Sequence, residues 1–177
     1  MSSTLVLSRY RWALPIVAQL AATGGSRFVP LANDLGLSKD ALRQTLDGLI
    51  GVGLVMRNPG YGHPMRPEYM LTDKGRRVAP ACASVLHELR QRGIENVVLK
   101  KWSIPIVAAL NAERRYGELR GTVGATPRAF TLALKELIGA GLVERRVHDG
   151  FPPSTSYRLT PASRRLRRQV TRLAAAL

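Results

Sequence analysis

The chain has 177 residues, 45% of them hydrophobic, which excludes a disordered composition and leaves room for one domain or two small ones. Its 27 Lys and Arg residues outnumber 12 Asp and Glu residues, and the resulting net charge of +15 favours a polyanionic partner. The single cysteine, Cys82, excludes an intramolecular disulfide. Because the N-terminus shows no signal-peptide pattern and no apolar run approaches the roughly 20 residues of a membrane span, we expect a cytoplasmic protein without membrane association.

The sequence contains an internal repeat. "RWALPIVAQL" at residues 11–20 matches "KWSIPIVAAL" at residues 101–110, and the following matches keep an offset of 88 residues. They are "LIGVGLV" and "LIGAGLV", which begin at Leu49 and Leu137, and "YMLT" and "YRLT", which begin at Tyr69 and Tyr157. Ordered matches over most of both halves indicate a tandem duplication. The predicted domains are residues 1–95 and 96–177.

Each copy is predicted to begin with an apolar helix. Pro15 and Pro105 follow Trp12 and Trp102 by three residues. Because proline is tolerated in a first helical turn, these helices should begin near the tryptophans. The tryptophans themselves are expected to pack in the core.

Two further helices follow in each copy. The second helices are predicted at residues 28–33 and 116–123, and turns ending at Ser38 and Thr126 should supply N-caps for the third helices. Each third helix carries an apolar stripe at positions i, i+4, i+7 and i+8. The stripe consists of Leu42, Leu46, Leu49 and Ile50 in the first copy, and of Phe130, Leu134, Leu137 and Ile138 in the second.

Two strands and a closing helix complete each copy. "LVMRNP" and "LVERRVH" are predicted strands, followed by turn-rich stretches and the returning strands "EYMLT" and "SYRLT". A last helix follows each "LT", and Pro80 should kink or break the first of them. The predicted fold class is mainly α with small β-wings (α+β), as two tandem winged helix-turn-helix modules related by pseudo-two-fold symmetry and docked on each other.

The polar faces of the third helices and the wings carry the candidate DNA contacts. A recognition helix needs donors near its N-terminal end to reach base edges, and wing arginines suit phosphates or the minor groove. The candidates are Ser38, Lys39, Arg43, Gln44, Arg57 and Arg66 in the first copy, and Thr126, Arg128, Thr131, Lys135, Arg145 and Arg146 in the second. Ordinary solvated side chains on an amphipathic helix are the alternative interpretation. Leu132 stands where Gln44 stands, so the copies would read different half-sites or the second would discriminate less.

No pattern of an enzyme or a metal site is apparent in the sequence. His63, His87 and His148 have no ligand spacing, and no nucleophile elbow, phosphate-binding loop or dinucleotide fingerprint occurs. We therefore expect no enzyme activity, no cofactor and no metal.

The sequence resembles a known family at these residues. A basic residue and Trp opening the first helix, then "RFVPLANDLGLSKDALRQTLDGLIGVGLV" and "YMLTDKGRRVAP", are similar to the HxlR-type winged helix-turn-helix regulators of bacteria, related to the MarR group. "TPRAFTLALKELIGAGLVERRV" repeats the pattern. The resemblance implies a transcription factor that binds operator DNA through its third helix and wing. Single-module members are homodimers through their first and last helices, so two modules imply a monomeric pseudo-dimer. Redox-sensing members carry a reactive cysteine near the N-terminus, and here none precedes Cys82.

Two hypotheses about function therefore stand. The first is a sequence-specific DNA-binding regulator, a repressor, with both modules on one operator and a small-molecule effector left open. The alternative is a small-molecule or drug-binding protein that keeps the winged-helix scaffold and has lost operator recognition. A structural role of the chromosome-organising kind fits the basic charge less well.

Overall fold

A computed structural model describes residues 7–58, 67–151 and 153–177 of the chain. The first copy runs from a short helical stretch at residues 7–9 to a long closing helix. Its elements are α1 (Ala13–Thr23), β1 (Ser26–Arg27), α2 (Phe28–Leu35), α3 (Lys39–Gly51), β2 (Val55–Asn58), β3 (Glu68–Leu71) and α4 (Asp73–Arg92).

The second copy repeats this order after one short connecting helix. Its elements are α5 (Glu95–Val98), α6 (Ser103–Ala109), β4 (Arg114–Arg115), α7 (Tyr116–Val123), α8 (Pro127–Gly139), β5 (Val143–His148), β6 (Ser154–Leu159), a 3₁₀ turn (Pro161–Ser163) and α9 (Arg164–Ala176). The sequence patterns do not predict the connecting helix α5.

Each copy holds a three-stranded antiparallel sheet. The strand orders are β1-β3-β2 and β4-β6-β5, so the returning strand lies in the centre in both. In the first sheet Val55 pairs with Leu71 and Ser26 with Tyr69. The outer strands β1 and β4 have only two residues each, too few to show an alternating pattern, and the sequence analysis missed them. The tandem winged helix-turn-helix fold is confirmed.

The first helices begin where the prolines predicted. Trp12 and Trp102 are the N-cap residues of α1 and α6, and Pro15 and Pro105 are buried in the first turns. The tryptophan rings are half-buried against the core rather than inside it. Arg11 Cζ lies 5.2 Å from the ring centre of Trp12, so the exposed part of that ring packs under a cation.

The apolar stripe of α3 is confirmed at three positions and wrong at one. Leu42, Leu46 and Leu49 are buried, whereas Ile50 is 38% exposed. At 100° per residue, Ile50 lies about 80° from Leu42, and the buried sector continues on the other side at Thr45. The Thr45 hydroxyl is satisfied there because it donates to the Ala41 carbonyl at 2.7 Å.

Of the kink or break predicted at Pro80, the break is wrong, because α4 continues for 20 residues through the proline. Pro80 is exposed, and its neighbours Val78, Ala79 and Cys82 are buried on the opposite side. Packing of this face against α1 and α9 compensates for the backbone hydrogen bond that proline cannot donate. The helix therefore connects its own copy to the other.

The two copies contact each other through α4 and α9. Glu88 is buried on α4, and Arg165 Nε lies 2.8 Å from its Oε2 atom. Arg92 Nη1 lies 3.9 Å from the same carboxylate and donates to the Ala162 carbonyl at 3.2 Å. A buried carboxylate between two guanidinium groups thus joins the closing helices.

Candidate nucleic-acid interface

Both third helices start at exposed, capped N-termini. Ser38 Oγ accepts from the Ala41 N–H at 3.3 Å, and Thr126 Oγ1 accepts from the Ala129 N–H at 3.4 Å. Pro127 occupies the first turn of α8. These caps fix the ends of the helices at which the macrodipole is positive and where phosphate is favoured.

We define the first head as α3 with the strands β2 and β3. Its exposed helix face carries both signs of charge: Lys39 and Arg43 against Asp40 and Asp47. Arg43 Nη1 lies 3.3 Å from Asp40 Oδ1, a solvent-exposed i,i+3 pair that contributes little stability and leaves the guanidinium accessible. Gln44 is exposed beside it. The first head therefore presents Lys, Arg and Gln donors together, with carboxylates between them.

We define the second head as α8 with the strands β5 and β6. Its exposed helix face carries Arg128, Thr131, Leu132 and Lys135, with Leu132 57% exposed. The Thr131 hydroxyl lies 2.9 Å from the hydroxyl of Tyr116 on α7, which fixes its position. Sequence reasoning missed this contact because Tyr116 repeats Phe28, which has no hydroxyl.

The wing arginines are exposed where the structure describes them. Arg57 lies on β2 opposite Tyr69, and Arg145 lies on β5 opposite Tyr157. Arg146 is exposed and lies 3.5 Å from Glu113 Oε2. Arg66 lies outside the described residues.

Glu113 contacts both strands of the second wing, which is formed by β5 and β6. It accepts a short hydrogen bond from Ser156, whose Oγ lies 2.7 Å from His148 Nε2, and it lies 3.4 Å from the same imidazole. The Ser156 hydrogen bond, followed by the charges of Arg146, His148 and Arg158, lowers the pKa of the Glu113 carboxyl. The contacts span 43 residues from Glu113 to Ser156, and no motif in the sequence marks them. They connect the loop before β4 to both wing strands.

Comparison with known families identifies the architecture. The model of the family described as HxlR-like helix-turn-helix matches this chain twice, at residues 7–96 and 97–176. The chain belongs to the HxlR-like helix-turn-helix family. Its membership is thus carried by both copies, and the resemblance inferred from the sequence is confirmed.

Relatives of this HxlR-like chain are helix-turn-helix transcriptional regulators. An uncharacterized HTH-type transcriptional regulator of Mycobacterium bovis is 42% identical over 66 residues, which cover 37% of this chain and 41% of the relative. One from Synechocystis sp. is 29% identical over 90 residues, covering 50% of this chain and 67% of the relative. The chain thus spans about two fifths of the length of the mycobacterial relative that it matches.

Solved structures similar to this HxlR-like chain each cover about half of it. A MarR-family transcriptional regulator from Porphyromonas gingivalis W83 has 28% identity and a TM-score of 0.45, covering 48% of this chain and 85% of that chain. The redox regulator HypR in its oxidized form has 30% identity and a TM-score of 0.43, covering 45% and 84% respectively.

The cysteine of this HxlR-like chain is a packing residue. Cys82 is fully buried on α4, and burial raises the pKa of its thiol to about 12. The corresponding residue of the second copy, Val170, is buried as well. Thiolate chemistry at neutral pH requires the opposite environment.

The described residues hold neither a metal-binding cluster nor a membrane-spanning helix. Residues 7–58, 67–151 and 153–177 contain no group of three or more His, Cys, Asp and Glu side chains arranged to hold a metal ion. Among the helices of the same ranges, none is both long and apolar enough to cross a membrane.

Proposed function

We propose that this chain is a sequence-specific DNA-binding transcriptional repressor whose two heads bind one operator. One observation carries the proposal: two capped third helices of one chain, both in segments that match the HxlR-like family, expose cationic donors near their N-terminal ends. Such donors reach guanine and adenine edges in the major groove. The net charge of +15 supports attraction to the duplex.

The proposed DNA contacts are the exposed residues of the two heads. Lys39, Arg43 and Gln44 in the first head and Arg128, Thr131 and Lys135 in the second would reach bases. Arg57, Arg66, Arg145 and Arg146 would contact phosphates or the minor groove, and Ser38 and Thr126 would present helix N-termini to the backbone. Repression follows from occupancy of the operator, since a protein covering two adjacent major grooves excludes other proteins from that stretch.

We further propose that the chain acts as a monomeric pseudo-dimer of residues 1–95 and 96–177. The contact between α4 and α9 supports this arrangement, because it buries one copy against the other and includes the Glu88 and Arg165 pair. Light scattering tests the assembly: we expect the mass of one chain, 19.4 kDa, and twice that mass would contradict the proposal.

Selection of bound fragments from a random duplex library tests the function. We expect one enriched motif with two parts, and affinity for it that falls by about 10³–10⁵ between 50 and 200 mM salt if six to ten phosphates are contacted. Arg128→Ala should weaken binding at least about 5-fold, since one base contact contributes roughly 1–3 kcal/mol. Arg77→Ala on α4 is the charge-matched control. The proposal would be contradicted by an affinity that does not change with salt concentration. It would also be contradicted by an equal loss of affinity in Arg128→Ala and Arg77→Ala.

A second candidate function has its own structural support. A cleft of about 440 Å³ between α1 and α4 is lined mainly by apolar side chains, among them Leu20, Leu71 and Pro80. Its volume lies within the range of small-molecule sites. The cleft supports an effector or a sequestered ligand. Tight binding of a small apolar molecule, with no DNA binding at low salt, would favour a drug-binding protein over a repressor.

A further inference from the structure

The two third helices share an apolar buried face and differ at most of their exposed positions. At an offset of 88 residues, the buried Leu42, Leu46 and Leu49 correspond to the buried Phe130, Leu134 and Leu137. Five pairs of corresponding exposed positions differ, whereas the exposed Gly51 and Gly139 at the helix ends are the same: the five pairs are Lys39 and Pro127, Asp40 and Arg128, Arg43 and Thr131, Gln44 and Leu132, and Asp47 and Lys135. All five pairs change chemical type, and two of them reverse the sign of charge.

The first head presents groups that form directional hydrogen bonds. An exposed Gln44 can donate and accept at the edge of adenine, and Lys39 and Arg43 suit the two acceptors of guanine. Asp40 and Asp47 repel phosphate and limit attraction to DNA that offers no matching bases. Binding by the first head therefore depends on matching bases, and contact with the DNA backbone alone adds little to its affinity.

The second head presents a different set. Its residues in the five pairs include Arg128 and Lys135 and no carboxylate. The DNA backbone therefore attracts the second head more strongly than it attracts the first head. Leu132 is 57% exposed at the position of Gln44 and cannot form a hydrogen bond with any base edge. An apolar side chain in the major groove contacts the thymine C5-methyl group. Thr131, held by Tyr116 at 2.9 Å, lies one position before it.

We infer that the two heads read different half-sites, so that the operator is not a palindrome and the chain binds it in one orientation. Leu132 is the specificity-determining residue of the second half-site and packs on a thymine methyl group. Gln44 is the corresponding residue of the first half-site and pairs with adenine. The inference rests on the proposed DNA-binding function.

A transplanted recognition face tests the inference in the full chain. The variant carries the first head's residues on the second: Pro127→Lys, Arg128→Asp, Thr131→Arg, Leu132→Gln and Lys135→Asp. None of these positions is buried, and Thr126 remains as the cap. Fragment selection should return two dissimilar half-sites for the unmodified protein and two similar half-sites for the variant.

The outcomes separate the inference from the function beneath it. A palindromic motif for the unmodified protein, or a motif with only one half-site, would overturn the inference while leaving DNA binding intact. Enrichment of no sequence at all, at low salt, would overturn the proposed function and the inference with it. Circular dichroism of the variant establishes that it is folded before its motif is compared.

A chemical probe of the DNA tests Leu132 without altering the fold. Replacing the contacted thymine of the selected second half-site by uracil removes only the methyl group. Affinity of the unmodified protein should fall by about 3- to 5-fold, the effect of one buried methyl group. Leu132→Ala should bind the thymine and uracil duplexes equally, and Gln44→Ala should keep the full difference. Equal affinity of the unmodified protein for both duplexes would overturn the assignment of Leu132.

Discussion

The ring of Tyr10 lies directly over Gly48, so close that a Cβ atom there would lie 2.2 Å from Tyr10 Cε2. The repeat places Lys100 and Glu136 at the equivalent positions, and Lys100 Nζ lies 2.5 Å from Glu136 Oε1. Both pairs join the segment before the first helix to the third helix of the same copy. The same junction therefore consists of an aromatic ring packed on a glycine in the first copy and of an ion pair in the second copy.

We expect the effects of substitutions at Tyr10 and Gly48 on the free energy of unfolding to be strongly coupled. Gly48→Glu should lower the free energy of unfolding by about 1–3 kcal/mol, because the side chain must displace the Tyr10 ring. Adding Tyr10→Lys should recover part of that loss by forming the pair seen in the second copy. Urea unfolding of the two single variants and the double variant measures the coupling, which we expect at about 1 kcal/mol or more. Strictly additive effects would contradict it.

Gly75 is predicted to tolerate no side chain. A Cβ atom there would lie 2.0 Å from the carbonyl oxygen of Leu54, which is backbone and cannot rotate away. Gly75→Ala should therefore destabilise the protein by about 2 kcal/mol or more through forced movement of α4. Gly121→Ala is the control, since its Cβ atom would meet nothing within 4 Å inside α7, and it should stabilise by about 0.5–1 kcal/mol. Thermal unfolding of both variants gives the comparison.

Loss of Arg165 should cost more than its exposure suggests. Its side chain is 63% exposed, yet its partner Glu88 is 9% exposed and would keep only Arg92, at 3.9 Å. Arg165→Ala should lower the free energy of unfolding by about 1–3 kcal/mol, since a buried carboxylate loses its closest cationic partner. The neighbouring exposed Arg164→Ala removes the same charge and should change it by about 0.5 kcal/mol or less. Chemical denaturation that finds the two variants equal would refute the role of Glu88.

The Cys82 thiol should resist alkylation in the folded protein. Burial raises its pKa from 9.0 to about 12, so the folded state holds the proton that the unfolded state releases between these values. The contribution of the protonated Cys82 thiol to the free energy of unfolding is complete below pH 9 and declines as pH rises toward 12. Iodoacetamide labelling near neutral pH should be slow in buffer and fast in urea. Labelling at the same rate in both would contradict the burial.

Acidification should loosen the second wing. The pKa of Glu113 lies below its ordinary value in the folded chain, chiefly through the Ser156 hydrogen bond. Its contribution to stability is therefore present above the ordinary pKa and is lost as pH falls through the folded value. Glu113→Gln should weaken the pH dependence of unfolding on the acid side, while Glu95→Gln serves as a control. An unchanged pH profile in Glu113→Gln would show that the carboxylate does not hold the wing.

The sequence predicts local elements well and long-range contacts poorly. The caps Ser38 and Thr126 follow from hydroxyl residues ahead of apolar stripes, because capping is decided within four residues. The burial predicted for Ile50 is wrong because an apolar stripe defines the buried face of a helix only to within about one residue of rotation. Glu113 and Ser156 could not be paired, since two separate elements determine their contact. The DNA contacts themselves stay predictions, because exposure on a helix face is shared by binding residues and solvated ones.

The Glu88 and Arg165 contact has no mirror image. The repeat places Ala176 and Arg77 at the exchanged positions, and alanine cannot receive a guanidinium group. In an isologous dimer of identical subunits every interface substitution occurs twice, once on each side of the axis. Fusing both copies in one polypeptide removes that obligation, so either half can acquire a mutation that its counterpart never shares.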